Sequence, residues 1–128
     1  MRLLLDTQAF IWWVQLDRRL SVVARNAIAQ ETASVHVSVA TAWEISIKVG
    51  QGKWPEAVPL LAQFEATLIE ENFELLLISV SDVRVAGLLQ SPHKDPFDRL
   101  IVAQAINGEL SLITSDAKLN GLGAPVIW

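Results

Sequence analysis

The sequence predicts an α/β fold in which a central parallel sheet is covered by helices on both faces. Short apolar runs alternate with segments of helical periodicity along the whole chain, and this alternation is typical of parallel α/β sheets. The length of 128 residues is that of one domain. We therefore expect a single domain over residues 1–128, without a linker, a repeat or a low-complexity segment.

Five segments are predicted as strands because they are short, apolar or β-branched, and bounded by turn or cap residues. They cover residues 2–5, 34–38, 73–78, 110–114 and 125–127. The first is an uninterrupted leucine run, whereas the second alternates between polar and apolar residues. The sequence therefore predicts a small sheet whose first strand is fully buried.

The segments between these strands are predicted as helices because apolar residues recur at helical spacing and cap residues precede several of them. They cover residues 8–16, 21–30, 39–49, 59–69, 79–89 and 95–106, with one helical turn at 116–119. Ser21 is a predicted N-cap, Gly50 ends the third helix, and Pro59 suits the first turn of the fourth.

Composition limits the classes of protein and site to consider. The chain has no cysteine, which excludes disulfides and thiolate metal sites. No apolar run approaches the roughly 18 to 20 residues of a membrane span. Asp6 interrupts the only stretch that resembles a secretory signal. We expect a complete, soluble, cytoplasmic protein without a membrane partner.

The net charge of −4 argues against a nucleic-acid partner only at first sight. Without the five acids of the site discussed below, 9 acids face 10 basic residues. The charge therefore permits binding to RNA without predicting it. The cations that could meet phosphates are Arg18, Arg19, Arg25, Lys48, Lys53, Lys94, Arg99 and Lys118.

Four acids stand where an α/β fold places a functional site. Asp6 and Asp116 follow apolar runs, and Glu44 and Asp98 lie in or at the start of predicted helices. The carboxyl ends of parallel strands and the adjoining helix starts face one crevice, so we expect the four to converge there. Clustered carboxylates raise one another's pKa, and a divalent cation is the simplest group that stabilises them.

Each acid also has a purely structural interpretation. Asp6 and Asp116 can cap the helical segments that follow them. Glu44 can form a surface ion pair with Lys48, four residues later on the same helix. These interpretations leave the role of each acid, taken alone, undecided.

The third acidic segment has the same ambiguity. Asp95 can be an N-cap, Pro96 the first helical residue, and Asp98 an acid in the first turn near the positive helix end. Capping explains both acids without catalysis but does not exclude it, because an acid at a helix start is rigidly held. We favour Asp98 as a metal ligand and leave Asp95 as a possible accessory residue.

Other polar residues flank the acids. Thr114 and Ser115 can orient Asp116 or hold a metal-bound water, and Arg99 and Lys94 can neutralise charge on a substrate backbone. The chain has two histidines, too few nitrogen ligands for a convincing zinc site. His36 is expected to be structural, and His93 to touch phosphate or simply be solvated. The tryptophans are expected in the core or at an interface rather than under bases.

The four acidic segments are residues 3–13, 42–48, 93–101 and 112–116. Together, and in this order, they resemble the motifs of the PIN-domain ribonucleases, specifically the VapC-like toxins of prokaryotic toxin–antitoxin pairs. The similarity covers essentially the whole chain. One departure lies outside the acid set: members often carry histidine at the position of Gln8.

The resemblance implies a parallel three-layer α/β/α sandwich and a nuclease site. Asp6, Glu44, Asp98 and Asp116 match the acidic positions of the family, and they would bind Mg²⁺ or Mn²⁺ and hydrolyse phosphodiester bonds in RNA. The resemblance also implies a homodimer, and a small antitoxin whose C-terminal segment wraps the toxin and blocks the site.

Two alternatives stay open. The chain can be a catalytically inactive interaction module, since its hydrophobic share of 52% and the helix from Leu60 to Ile69 suit an interaction surface. It can also be a phosphoryl-transfer protein that uses Asp6 as a covalent nucleophile. Metal-dependent cleavage of RNA separates the first alternative from the nuclease, and an aspartyl-phosphate would support the second.

Overall fold

The computed structural model describes all 128 residues, and its centre is a five-stranded sheet of order β3-β2-β1-β4-β5 in which every neighbouring pair is parallel. The strands are β1 (Arg2–Leu5), β2 (Ser34–Ser38), β3 (Glu74–Leu76), β4 (Ser111–Ile113) and β5 (Val126–Ile127). The predicted parallel sheet is confirmed.

Seven α-helices and two short 3₁₀ turns connect these strands. The helices are α1 (Thr7–Val14), α2 (Val22–Ala29), α3 (Val39–Gly50), α4 (Val58–Ala62), α5 (Phe64–Glu71), α6 (Val80–Leu88) and α7 (Pro96–Gly108). The 3₁₀ turns are Pro55–Ala57 and Ala117–Leu119. None of the helices is long and apolar enough to cross a membrane.

Alternate residues of β1 face two separate cores, as side chains of a strand must. Leu3 and Leu5 belong to a core that also contains residues of α1, α2, α4 and α5. Leu4 belongs to a second core, filled mainly by α7. Helices therefore cover both faces of the sheet, and the predicted α/β/α sandwich is confirmed.

Helix α3 lies across the carboxyl edge of the sheet rather than on one face. It follows β2 directly, and the Oγ of Ser38 caps it by accepting the amide N–H of Ala40 at 2.9 Å. Ala40 packs in the α7 core and Ile45 in the opposite core. The acid on this helix is thereby held near the ends of β1 and β4.

The predicted helix over 59–69 is wrong as a single element. The chain leaves helical geometry at Gln63, with φ −109° and ψ 25°, and forms α4 and α5 instead. Leu60, Phe64 and Leu68 nevertheless all enter one core. The apolar spacing continues through the break, so periodicity alone does not reveal it.

The third strand is shorter than predicted. The expected strand covers residues 73–78, but β3 contains only Glu74–Leu76. Asn72 takes the left-handed conformation just before it, with φ 57°. At the other end Leu76 pairs with Ser38, the last residue of β2. Because β2 ends there, the apolar residues that follow Leu76 have no partner strand for backbone hydrogen bonds.

Candidate active site

Asp6 is the most deeply buried of the four predicted acids. It follows β1, and its amide donates to the carbonyl of Ile113 at 3.0 Å, which joins it to the end of β4. Its Oδ1 accepts the amide N–H of Ala9 at 2.8 Å and so caps α1. The side chain is buried. Capping and a role in the site are compatible, because the capping bond uses one carboxylate oxygen.

Burial raises the pKa of Asp6 to about 6, although the Thr114 hydroxyl and the Ala9 amide oppose the shift. The negative charges of Asp98 and Glu44 raise the pKa further. The ionised form of Asp6 is therefore short of stabilising partners, and a cation beside it would supply one.

Glu44 lies in the second turn of α3 and is half-buried. Burial raises its pKa, the Thr7 side chain opposes the shift, and the charges of Asp95 and Asp98 add to it. The alternative of a surface ion pair is wrong, because no contact of 4.0 Å or less joins Glu44 to Lys48. The Lys48 ammonium lies over the Trp54 ring instead, 5.9 Å from its centroid.

The two acids at the start of α7 divide their tasks. Asp95 is the N-cap, and its Oδ1 accepts the amides of Phe97 and Asp98 at 2.9 and 3.2 Å. The Asp98 side chain turns toward His93, whose Nε2 lies 2.8 Å from Asp98 Oδ2. Burial raises the pKa of Asp98, and the contact with His93 opposes the rise.

Asp116 lies at the end of the β4 connection and caps the second 3₁₀ turn. Its Oδ1 accepts the amide of Lys118 at 2.9 Å, and its own amide donates to the Thr114 hydroxyl at 3.0 Å. Thr114 is buried and also lies beside Asp6, so one threonine links two acids. Ser115 is exposed, and its hydroxyl forms no hydrogen bond within the chain.

The tightest group of possible metal ligands contains His93, which the sequence did not predict as a ligand. One ligand atom each from His93, Asp98 and Asp116 lies within 4.8 Å of the other two. Asp6 and Glu44 are outside this triad, but the charge of Asp98 raises the pKa of each. The signal for His93 in the sequence is its position five residues before Asp98.

Arg99 has a structural role in place of the expected contact with substrate. All three guanidinium nitrogens donate to backbone carbonyls at 2.8 to 3.4 Å. The acceptors are Ala86, Gly87, Leu89, Ser91 and His93. Arg99 thus closes the end of α6 and fixes the loop that carries His93, so its donors are unavailable to an RNA phosphate.

Two further predictions concern residues beside the acids. His36 is structural as predicted: its Nδ1 lies 3.0 Å from the Leu3 carbonyl and its Nε2 lies 3.0 Å from Glu74 Oε2. Of the tryptophans, which are predicted in the core or at an interface, Trp43 is outside the core, because 57% of it is exposed. It packs edge-on against Phe97, 5.0 Å away between ring centroids.

The chemistry of the donor set fits a divalent cation. The three acids whose pKa values are raised, Asp6, Glu44 and Asp98, face one region, and Asp116 adds a fourth carboxylate. Carboxylate oxygens are the ligands that Mg²⁺ and Mn²⁺ prefer. A cation would lower the pKa of each acid toward its ordinary value and remove their mutual repulsion.

Comparison with known proteins agrees with this geometry. The PIN domain family model matches residues 3–124. Ribonuclease VapC22 of Mycobacterium tuberculosis is 33% identical over 130 residues, which cover 98% of this chain and 97% of the relative.

Solved structures share the fold at lower identity. VapBC2 from Rickettsia felis, bound to a DNA fragment from its promoter, has a TM-score of 0.72 at 16% identity. The match covers 98% of this chain and 97% of the VapBC2 chain. VapBC-1 from Haemophilus influenzae has a TM-score of 0.67 at 18% identity. The match covers 98% of this chain and 96% of the VapBC-1 chain. The family model and the VapC22 relative each match nearly all residues of this chain. The chain therefore belongs to the PIN-domain family.

Proposed function

We propose that this protein is a metal-dependent endoribonuclease that hydrolyses RNA phosphodiester bonds as the toxin of a toxin–antitoxin pair. The observation that carries the proposal is the meeting of Asp6, Glu44, Asp98 and Asp116 at the carboxyl edge of the sheet. The relative that is named a ribonuclease supports the reaction class. The cytoplasm, which contains the RNA, is the proposed location.

Asp6, Asp98 and Asp116 are the proposed ligands of Mg²⁺ or Mn²⁺. When bound, the cation polarises the scissile phosphate and lowers the pKa of the attacking water. Asp6 is fixed by its bond to the Ala9 amide, and Asp116 by its bonds to Thr114 and Lys118. These bonds hold the carboxylates in place before substrate arrives, which is the arrangement that favours catalysis.

Glu44 is proposed to orient the attacking water and accept its proton. Its raised pKa suits a general base better than an ordinary glutamate would. His93 is proposed to hold Asp98 in position through the 2.8 Å contact of its Nε2. Partners of this kind that orient a ligand commonly change metal affinity by about 10- to 100-fold.

The proposed protein partners are an antitoxin and a second copy of the chain. Support for the antitoxin comes from solved neighbours that are VapBC proteins, including VapBC-5 of Mycobacterium tuberculosis, a member of a family of toxin–antitoxin systems. Support for association comes from exposed apolar side chains on α6, among them Val80, Val83 and Leu88. Such surface is available to either partner.

The burial of Asp6 argues against its use as a covalent nucleophile. Only 7% of the residue is exposed, and its Oδ1 accepts the Ala9 amide. An attacking carboxylate needs access to the phosphorus atom, and a phosphoryl group on Asp6 would displace packed neighbours. Hydrolysis by water at a metal site avoids this conflict.

RNA cleavage by the purified, antitoxin-free protein tests the proposal. Total RNA is incubated with Mg²⁺, with Mn²⁺ and with EDTA, beside the Asp6→Asn variant. Glu65→Gln is the matched control, since Glu65 is an exposed acid on α5. We expect metal-dependent cuts by the wild type and the control, and none by Asp6→Asn. A folded protein that binds the metal but cuts no RNA would favour an inactive interaction module.

A further inference from the structure

A cavity of about 610 Å³ is lined in part by residues that contact two of the acids, and it has no role in the site described above. Its lining includes His93, whose Nε2 contacts Asp98, and Lys118, whose amide is bonded to Asp116. Neither Asp98 nor Asp116 lines the cavity itself, but each of these proposed metal ligands contacts a residue that does. Its volume is within the range of pockets that hold small organic ligands.

The charge of the cavity is opposite to that of the acid cluster. Lys94 and Lys118 both line it, and they come from separate elements, the loop before α7 and the second 3₁₀ turn. Both are exposed, and neither lies within 4.0 Å of a carboxylate, since the ion pairs of the chain involve other residues. Two ammonium groups are thus available to an anion.

Several other cations are already engaged elsewhere. Arg19 is paired with Asp17 at 2.7 Å, Arg25 and Lys48 lie over tryptophan rings, and Arg99 is bonded to carbonyls. An RNA strand that reaches the acids meets strong repulsion from carboxylates, and lysines beside them offset it. Lys94 and Lys118 are placed to do so.

The remaining walls suit a base. Pro92 and Leu122 offer apolar surface beside the two lysines, and the other two lining residues, Gln90 and Ser91, are polar. Aromatic bases bind through their faces to apolar or aromatic surface while their phosphates are held by cations. A groove with cations and apolar walls, open to solvent, therefore matches a single-stranded nucleotide better than it matches a duplex.

We infer that this cavity is the subsite for the ribonucleotide next to the scissile phosphate, with Lys94 and Lys118 binding its backbone phosphates and Pro92 and Leu122 contacting its base. The inference rests on the proposed endoribonuclease activity. It assigns substrate binding to two lysines that touch no reacting atom, so their removal raises KM while leaving kcat nearly unchanged.

The test uses Lys94→Gln, Lys118→Gln and, as a matched control, Lys53→Gln. Lys53 is an exposed lysine beyond the C-terminal end of α3, whereas the site lies toward the opposite end of that helix. Cleavage of a short single-stranded RNA is measured with Mn²⁺, together with binding of the same RNA in EDTA at salt concentrations between about 50 and 200 mM. Circular dichroism checks that each variant is folded.

We expect KM to rise about three- to tenfold in each cavity variant, with kcat within about twofold, and no change in Lys53→Gln. The slope of log binding constant against log salt should fall by about 0.7 for each cavity lysine. An unchanged KM and slope in both variants would overturn the subsite. Failure of the wild type to cut RNA would instead overturn the proposed function.

Discussion

The site has a buried half and an outer half that are held in different ways. Asp6 and Thr114 lie within the sheet edge and are at most 7% exposed. Asp98, His93 and Asp116 form the outer half, in which the side chains of Asp98 and His93 are 23% and 14% exposed. The buried half is positioned by strands and helix caps, whereas the outer half depends on a loop that Arg99 holds. The two halves of the site are therefore held in position with different rigidity.

Replacement of one acid in each half is the largest expected perturbation. Asp6→Asn and Asp116→Asn should each lower kcat at least about 100-fold, because each removes a proposed ligand, and loss of a metal ligand costs several kcal/mol in the transition state. The halves should differ in stability. Asp6→Asn should stabilise the metal-free protein at neutral pH, since it removes a buried charge, while Asp116→Asn should not. Single-turnover cleavage and chemical denaturation measure the two effects, and full activity in either variant would refute the assignment.

Arg99→Lys should disturb the outer half and spare the buried half. Lysine cannot reach five carbonyls at once, so several are left without a donor, and we expect a loss of about 3 kcal/mol in unfolding free energy. Amide hydrogen exchange should accelerate in residues 89–95 but not in β1 or β4. Arg84→Lys on the exposed face of α6 is the control. Equal protection of the loop in both variants would contradict the role given to Arg99.

The buried half should make the metal-free protein more stable as the pH falls from 7 toward 5. The pKa of Asp6 rises from 3.8 unfolded to about 6 folded, so the folded state binds the proton more tightly in this window. The shift corresponds to at most about 3 kcal/mol. Asp6→Asn should lose most of the gain, and saturating Mn²⁺ should reverse the trend. A stability that falls with acidification over the same range in the wild type would contradict the burial argument.

Thr114→Val should give the smallest of these effects, because it removes one hydroxyl that serves both halves. The Asp116 amide loses its acceptor and Asp6 loses a neighbour that stabilises its charge. We expect a loss of about 1 kcal/mol in stability and about tenfold in kcat. Ser111→Ala on the partly exposed face of β4 is a control of similar size, and an identical response of the two variants would assign Thr114 no special place.

The sequence is sufficient to predict the buried half. Leu3, Leu4 and Leu5 mark a strand, and the acid after a buried parallel strand falls at the edge where sites form. The apolar periods also predict the layers of the sandwich. The break at Gln63 escapes prediction, because Leu60 and Phe64 keep helical spacing across it.

The outer half is less accessible to sequence reasoning because it is a matter of loop geometry. The amino-acid sequence does not show that the Arg99 guanidinium turns toward the end of α6, or that His93 is thereby placed against Asp98. An arginine next to a predicted ligand suggests a phosphate contact on charge alone. Arg99 instead donates to carbonyls that the end of a helix leaves unpaired. The positions of these carbonyls are defined only in the folded chain.

Calorimetric titration of Mn²⁺ into the wild type, Asp6→Asn and Asp116→Asn tests most directly whether the two halves form one cation site. We predict saturable binding by the wild type and an affinity at least about tenfold weaker in each variant, since each removes a proposed carboxylate ligand. Wild-type affinity in either variant would show that the acid removed is not part of the site, and would contradict the account.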